Sequence, residues 1–315
     1  MGSFASNWST NLATSTNKPA LLVHPPLGLF ELQLGAYDVA HWPTARTDIS
    51  AALIVGQVGL TNAMIDAMPK LGVIVCFGVG VDGLDLDYCA HRAIAVTNGR
   101  QINHEDVADV AMGHIIAAAR SFPLGERVLR EDRWTPPLAI PPQRRLRGMK
   151  LGIVGMGAIG QAIAARASPF GFEIKWFGPR AKPDVAFAYE PDLVKLADWA
   201  DVLAIAARGD QSGLVNAETI KALGPQGILV NISRGSLVDE DALIAALKSG
   251  ALGAAGLDVF QQEPTPASRW VDVPNCTLTP HLGGATREAL YAGSQNVLEN
   301  LRRFFAGAAL LSPLG

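Results

Sequence analysis

Lys150-Leu-Gly-Ile-Val-Gly155-Met156-Gly157-Ala158-Ile159-Gly160-Gln-Ala-Ile-Ala decides the reading of this 315-residue chain. An apolar run ending at Val154 passes into Gly-x-Gly-x-x-Gly, and a helical pattern follows at once. Each glycine has a separate physical task. Gly155 permits a tight turn, Gly157 lets backbone approach a pyrophosphate, and Gly160 lets the helix pack close to the strand. The N–H groups at the helix start then face an anion. Strand, turn and helix in that order make this a dinucleotide-binding turn rather than an ordinary glycine turn. The expected cofactor contacts there are Gly155, Met156, Gly157, Ala158, Ile159 and Gly160.

The next strand selects the dinucleotide. An NAD site ends its second strand on an acid that binds the ribose hydroxyls. Here the end reads Trp176-Phe177-Gly178-Pro179-Arg180, with Gly178 where the acid belongs. An arginine fork binds a 2′-phosphate through charge-assisted hydrogen bonds, whereas a carboxylate repels it. Gly178, Pro179 and Arg180 therefore point to NADPH as the preferred cofactor, with NADH possible. Lys182 lies nearby.

Working outward, short apolar runs alternate with helical patterns from Pro19 onward. The expected strands are Ala20–His24, Ala51–Val55, Gly72–Phe77 and Ile94–Thr97 in one set. A second set is Leu151–Val154, Glu173–Phe177, Val202–Ala206, Ile228–Ile232, Ala254–Val259 and Thr277–Thr279. Helical patterns at Asn62–Met68, Ile159–Ser168 and Asp241–Lys248 lie between strands, which suggests βαβ units and parallel sheets. A boundary falls near Asn98–Asp106, before a long apolar helix at Asp106–Arg120. Trp134–Arg147, rich in Pro and Arg, reads as an excursion from the domain body, since its prolines do not sit inside helices. A last helix, Arg287–Phe305, is capped by Thr286 and ended by Gly307. The expected architecture is α/β, with two doubly wound parallel-sheet domains and the active site in the cleft between them. Residues 18–103 with 287–315 form a discontinuous substrate domain, 104–286 the dinucleotide domain, and 1–17 a disordered tail.

Composition narrows the partners. Only 17% of residues are charged and the net charge is −3, without long runs of either sign. That pattern excludes a nucleic-acid footprint or a polybasic membrane anchor. No apolar run reaches membrane-spanning length. Three cysteines without a CxxC pair argue against a disulfide framework and for a reducing, cytoplasmic setting. The six histidines show no metal-ligand spacing, so no metal is expected.

Three later stretches carry chemistry: Leu229-Val-Asn-Ile-Ser233-Arg234-Gly235, Gly256-Leu-Asp258-Val-Phe-Gln-Gln-Glu263-Pro264 and Leu278-Thr-Pro280-His281-Leu-Gly283-Gly284. Each is a strand followed by polar groups, and ligands of open α/β sheets bind at the carboxyl ends of strands. Together with Gly155–Gly160, with Phe77-Gly78-Val79-Gly80-Val81-Asp82 and with Glu105-Asp106-Val107-Ala108-Asp109, and in this order, the chain resembles the D-isomer-specific 2-hydroxyacid dehydrogenases over roughly residues 19–307. The absent acid at Gly178 is most similar to the glyoxylate/hydroxypyruvate reductase branch.

The resemblance implies specific roles. Arg234 would bind the substrate carboxylate and polarise the 2-oxo group. His281 would donate a proton to the carbonyl oxygen as hydride arrives. Glu263 would orient His281 and stabilise its protonated form. Backbone N–H groups at Val79 and Gly80 would hold the carboxylate from the other domain. Asp258 would face the nicotinamide carboxamide, with Ala206 and Ser233 lining the cofactor. Family members dimerise through the excursion, so a homodimer is expected, with Trp134 either reaching the partner's site or packing within its own chain. Phe77 lines the substrate pocket or simply fills the core. The alternatives are an NAD-linked dehydrogenase of other substrate range and a non-catalytic dinucleotide sensor; the complete Arg–Glu–His set speaks against the sensor.

Overall fold

The computed structural model describes residues 18–137, 140–209 and 211–314; the tail expected over residues 1–17 lies outside them. The chain divides into two compact units. One runs to Ile102 and resumes at Tyr291; the other is Asn103–Leu290.

The first unit is built on a six-stranded sheet. Its strands are β1 (Ala20–His24), β2 (Asp38–His41), β3 (Ala51–Val55), β4 (Val73–Phe77), β5 (Ala95–Thr97) and, from the end of the chain, β13 (Pro313–Leu314), in spatial order β13-β5-β4-β3-β1-β2. Every pairing is parallel except β13 on β5. β1, β3 and β4 share the pattern of four consecutive buried residues, because both faces of a parallel sheet are covered. Helices α1 (Asn62–Asp66) and α2 (Leu86–His91) are capped at their amino ends by Thr61 and Asp85. Leu22, Ile54 and Ile74 pack on one face of the sheet with Ile65 and Cys89. Leu21, Leu53 and Val75 pack on the other with Val297 and Leu301 of the last helix. Fully burying one such aliphatic side chain stabilises by about 1.5–3 kcal/mol.

The second unit carries a seven-stranded, wholly parallel sheet. Its strands are β6 (Lys150–Val154), β7 (Glu173–Phe177), β8 (Ala188–Tyr189), β9 (Val202–Ile205), β10 (Ile228–Asn231), β11 (Ala254–Leu257) and β12 (Cys276–Leu278), ordered β12-β11-β10-β9-β6-β7-β8. The chain leaves β6 toward β7 and returns on the other side at β9. The order therefore reverses between β6 and β9, which is where such sheets bind ligands. Two helices, α3 (His104–Ala119) and α5 (Ala158–Ala167), cover one face, where Ile115 and Ile163 join a cluster that includes the fully buried Trp176 of β7. Three more, α6 (Leu193–Trp199), α7 (Ala217–Leu223) and α8 (Glu240–Ser249), cover the other, capped by Asp192, Asn216 and Asp239.

A further helix, α4 (Phe122–Arg130), precedes the excursion, which has no helix or strand among its described residues. Arg144 ties the excursion down, donating to Asp201 Oδ1 at 2.5 Å and to the Gln226 carbonyl at 2.9 Å. The last helix, α9 (Arg287–Phe305), starts on Thr286, whose hydroxyl accepts the Ala289 N–H at 3.0 Å. Just beyond its end stands Gly307, at φ +66°, and Ala308 donates back to the Arg303 carbonyl. This is the left-handed stop that glycine permits. The helix spans the boundary between the units, which falls at Leu290.

Candidate active site

The glycine turn has the shape its sequence demands. Gly155 lies at φ +95°, and a Cβ there would stand 2.7 Å from the Ala207 backbone. A Cβ on Gly160 would stand 2.1 Å from the Gly155 carbonyl oxygen. Both positions therefore exclude any larger residue, one by conformation and contact, the other by contact alone. On Gly157, by contrast, a Cβ would meet nothing within 4 Å. That open side faces outward from the start of α5, whose N-cap is Gly157 and carries no side-chain cap. Uncapped N–H groups at a helix start and room for a backbone approach fit a pyrophosphate. Ala206, expected to line the cofactor, continues β9 and donates to the Val154 carbonyl at 2.8 Å, beside the turn.

Gly178 follows β7 and is buried, and a Cβ on it would lie 3.1 Å from the Trp176 ring. Tyr189 donates its hydroxyl to the Gly178 carbonyl at 2.8 Å. The acid that NAD sites use is thus replaced by a residue pinned under an indole. Pro179 and Arg180 are exposed. Lys182 reaches back to the glycine turn, its ammonium 2.7 Å from the Met156 carbonyl.

The three polar stretches lie at the carboxyl ends of the adjacent strands β10, β11 and β12. After β10, Asn231 organises the turn: its Oδ1 accepts the Ser233 N–H at 3.1 Å and its Nδ2 donates to the Arg234 carbonyl at 2.8 Å. Ser233 donates its hydroxyl to the Ala207 carbonyl. Arg234 is half-buried, and its Nη1 donates to the Ser233 carbonyl at 2.7 Å. Gly235 packs on the loop after β11, where a Cβ would meet Phe260 backbone at 1.9 Å. This contact fixes Arg234 against the segment that carries Glu263. Glu240, buried on α8, braces that segment too, accepting the Gln261 N–H at 2.9 Å.

His281 follows β12 with φ +53°, in the left-handed region that few non-glycine residues enter and that histidine tolerates better than most. Its Nδ1 is 2.7 Å from Glu263 Oε2, and Glu263 Oε1 accepts the Phe260 N–H at 2.9 Å. Both side chains are about one-third exposed, at 35% and 30%, so the pair is open to a ligand. Asp258 is 1% exposed. Its Oδ1 accepts the Thr279 hydroxyl at 2.5 Å and the Leu282 N–H at 2.8 Å, and its Oδ2 accepts the Gly283 N–H at 2.7 Å. Its backbone carbonyl accepts the His281 N–H at 2.8 Å. Expected as a cofactor contact, Asp258 holds the loop that presents His281. Arg234, Glu263, His281 and Asp258 are thus brought to one sheet edge.

In the first unit, Val79 and Gly80 follow β4. Gly56, after β3, lies so close that a Cβ on it would stand 1.7 Å from the Gly80 carbonyl oxygen. Asn98, which sequence reasoning missed, is buried and donates to the Val79 carbonyl at 2.6 Å. In a trans peptide the carbonyl and the next N–H point opposite ways, so this bond aims the Gly80 N–H away from Asn98. Phe77 is half-buried and meets Phe30 edge-on at 5.4 Å between ring centroids. Trp134, in the second unit, is 69% exposed. Among the described residues no cluster of His, Cys, Asp or Glu could hold a metal ion, and no helix is long and apolar enough to cross a membrane.

Known proteins resemble this chain over most of its length. The family model for the D-isomer specific 2-hydroxyacid dehydrogenase NAD binding domain matches residues 112–283. The chain is 40% identical over 261 residues to the 2-ketogluconate reductase of Gluconobacter oxydans, covering 82% of this chain and 84% of that one. It is 38% identical over 273 residues to glyoxylate/hydroxypyruvate reductase A of Arabidopsis thaliana, covering 86% and 87%. Among solved structures, the NADPH-dependent glyoxylate/hydroxypyruvate reductase of Sinorhizobium meliloti, determined with NADP and malonate, superposes with a TM-score of 0.87 at 35% identity, over 95% of this chain and 97% of that one. The chain belongs to the D-isomer-specific 2-hydroxyacid dehydrogenases. It is accordingly a nicotinamide-dinucleotide-dependent oxidoreductase.

Proposed function

We propose that this chain reduces small 2-oxo acids, glyoxylate and hydroxypyruvate foremost, to D-2-hydroxy acids, with NADPH preferred over NADH. The observation that carries this reading is the 2.7 Å contact between His281 Nδ1 and Glu263 Oε2, on the sheet edge that also bears Arg234.

The proposed chemistry follows from those side chains. A reduced nicotinamide dinucleotide held by the Gly155–Gly160 turn would supply the hydride for the 2-oxo carbon. Arg234 binds the substrate carboxylate, which its planar donor fork matches, and polarises the neighbouring carbonyl. Glu263 engages Nδ1 of His281, which assigns proton delivery to Nε2. As negative charge grows on the carbonyl oxygen, His281 donates that proton, and Glu263 balances the imidazolium that precedes the transfer. The backbone N–H groups of Val79 and Gly80 are proposed as further donors to the substrate carboxylate. Asp258 and Ser233, with Ala206, line the nicotinamide end. Charged donors arranged before reaction lower the barrier more than solvent can.

The NADPH preference rests on Gly178, Arg180 and Lys182. No carboxylate stands at 178 to repel a 2′-phosphate, Arg180 is exposed beside it, and Lys182 is held at the glycine turn. A homodimer is proposed through the Phe122–Trp134 region. Phe122, Leu129 and Trp134 are 56%, 61% and 69% exposed, and a groove of about 800 Å³ opens beside Leu124 and Val271. Apolar side chains so placed are covered most simply by a second copy.

Replacing His281 by Ala tests the reading. Turnover is expected to fall by about a hundredfold or more while dinucleotide binding persists. Unchanged turnover would remove His281 from proton delivery.

A further inference from the structure

One buried polar group of the second unit stands outside the reacting set. His114, on α3, is 2% exposed. Its ring lies flush against β11, where a Cβ on Gly256 would stand 2.6 Å from His114 Cβ and 3.1 Å from Nδ1. Glycine at 256 is therefore what lets a side chain at 114 lie against β11. His114 Nε2 is 2.9 Å from Thr279 Oγ1, and the Thr279 hydroxyl donates to Asp258 Oδ1. A hydroxyl has one hydrogen, so with that hydrogen on Asp258 the oxygen must accept from His114. The ring is thereby fixed as the neutral tautomer with its proton on Nε2. Nδ1 has no hydrogen-bond partner.

A buried acceptor left unpartnered destabilises the fold, and an aliphatic side chain at 114 would avoid that penalty. The compensating gain lies in what His114 touches. Thr279 is two residues before His281, and Asp258 accepts from Thr279, Leu282 and Gly283 while its carbonyl accepts the His281 N–H. A chain of hydrogen bonds thus runs from α3 through Thr279 and Asp258 to the loop that holds His281 at φ +53°. Its links polarise one another in a buried setting.

We propose that His114 is a positioning residue for His281: by donating to Thr279 it fixes that hydroxyl on Asp258 and so sets the loop that presents the imidazole to substrate. The inference rests on His281 as proton donor. Desolvation lowers the affinity of His114 for a second proton, more than the Asp258 charge raises it, which keeps the ring in the neutral donor form.

The test compares His114→Leu, which fills the space without a donor, with His114→Gln, whose amide can still donate. Both are measured as the full chain for melting temperature, kcat, KM for each substrate, and the NMR position of the His281 ring nitrogens. In the leucine variant kcat is expected to fall about tenfold, the loss a small misplacement of a reacting group brings, with KM for NADPH unchanged and the His281 signals displaced. The glutamine variant should recover most of that kcat. Should either fail to fold, Thr279→Val and Thr279→Ser pose the same question, the serine retaining the hydroxyl. Folded variants with wild-type kcat and unmoved His281 signals overturn the proposal, as do equal losses in leucine and glutamine variants, which would mark a packing role. His281→Ala separates the two readings. If it keeps turnover, the proton-donor reading fails; if it loses turnover while His114→Leu does not, only the positioning role fails.

Discussion

Glu263 divides its carboxylate between His281 and the backbone of its own loop: Oε2 lies 2.7 Å from Nδ1, and Oε1 accepts the Phe260 N–H. The acid is therefore oriented before it orients the imidazole. Glu263→Gln keeps the shape but loses the charge that balances an imidazolium. Turnover with a 2-oxo acid is expected to drop at least about tenfold, with little change in dinucleotide affinity. Steady-state kinetics beside fluorescence titration of the cofactor checks this; a parallel loss of cofactor affinity would assign Glu263 to binding instead.

Arg180→Ala addresses cofactor choice. Hydrogen bonds to charged groups contribute about 1.5–3 kcal/mol, so kcat/KM for NADPH should fall roughly tenfold to a hundredfold while the value for NADH stays put. Equal losses with both cofactors would mean that Arg180 does not read the 2′-phosphate. Lys182→Ala should give a smaller change of the same sign, since part of its ammonium's bonding is spent on Met156.

The glycine turn can be tested without any substrate. Gly160→Ala places a Cβ 2.1 Å from the Gly155 carbonyl oxygen, a backbone atom that cannot swing aside. Overpacking of this kind costs about 1–3 kcal/mol, and here it also spreads the turn that cradles the pyrophosphate. A lower melting temperature together with weaker binding of both NADPH and NADH is expected. Gly157→Ala, which meets nothing within 4 Å, should leave the melting temperature alone and weaken binding only.

His114 links stability to pH. Burial lowers its pKa below 6.5, its ordinary value, so in the window beneath about pH 6.5 the unfolded chain binds a proton that the native chain does not. Stability rises with pH wherever the unfolded state binds more protons, so this contribution is lost as pH falls through that window. The melting temperature of the wild type should therefore drop more between pH 7 and pH 5 than that of His114→Leu. Parallel curves would show that His114 does not titrate on unfolding.

Much of this fold was legible because its buried strands are continuous apolar runs. Ala20–His24 and Ala51–Val55 coincide with β1 and β3, and Glu173–Phe177, where polar and apolar residues alternate, coincides with β7. The elements that went unread are short or lie at edges. Asp38–His41, Ala188–Tyr189 and Pro313–Leu314 are strands of two to four residues, none of them buried, so no hydrophobic pattern marks them. The helix Phe122–Arg130 follows a residue at φ +50°, Ser121, and carries Pro123 and Gly125, which weaken its helical signal. Arg234, Glu263 and His281 could be picked out as residues, since each lies in a polar stretch that follows a strand and those stretches occur in the order of the family the chain resembles. The groups that hold them could not. Asn98 and His114 lie far in sequence from Val79 and Thr279, and such pairings are created by packing. The one local hint was a histidine within the alanine-rich helix at 104–119, opposite a glycine whose place on β11 only the sheet reveals.

The most direct test of the central claim is consumption of NADPH and of NADH, side by side, with glyoxylate, hydroxypyruvate, pyruvate and phenylpyruvate. NADPH is expected to be oxidised faster with glyoxylate and hydroxypyruvate than any other pair is. A preference for NADH would contradict the role given to Gly178 and Arg180, a preference for phenylpyruvate the choice of small substrates, and no consumption with any pair would contradict the reductase itself.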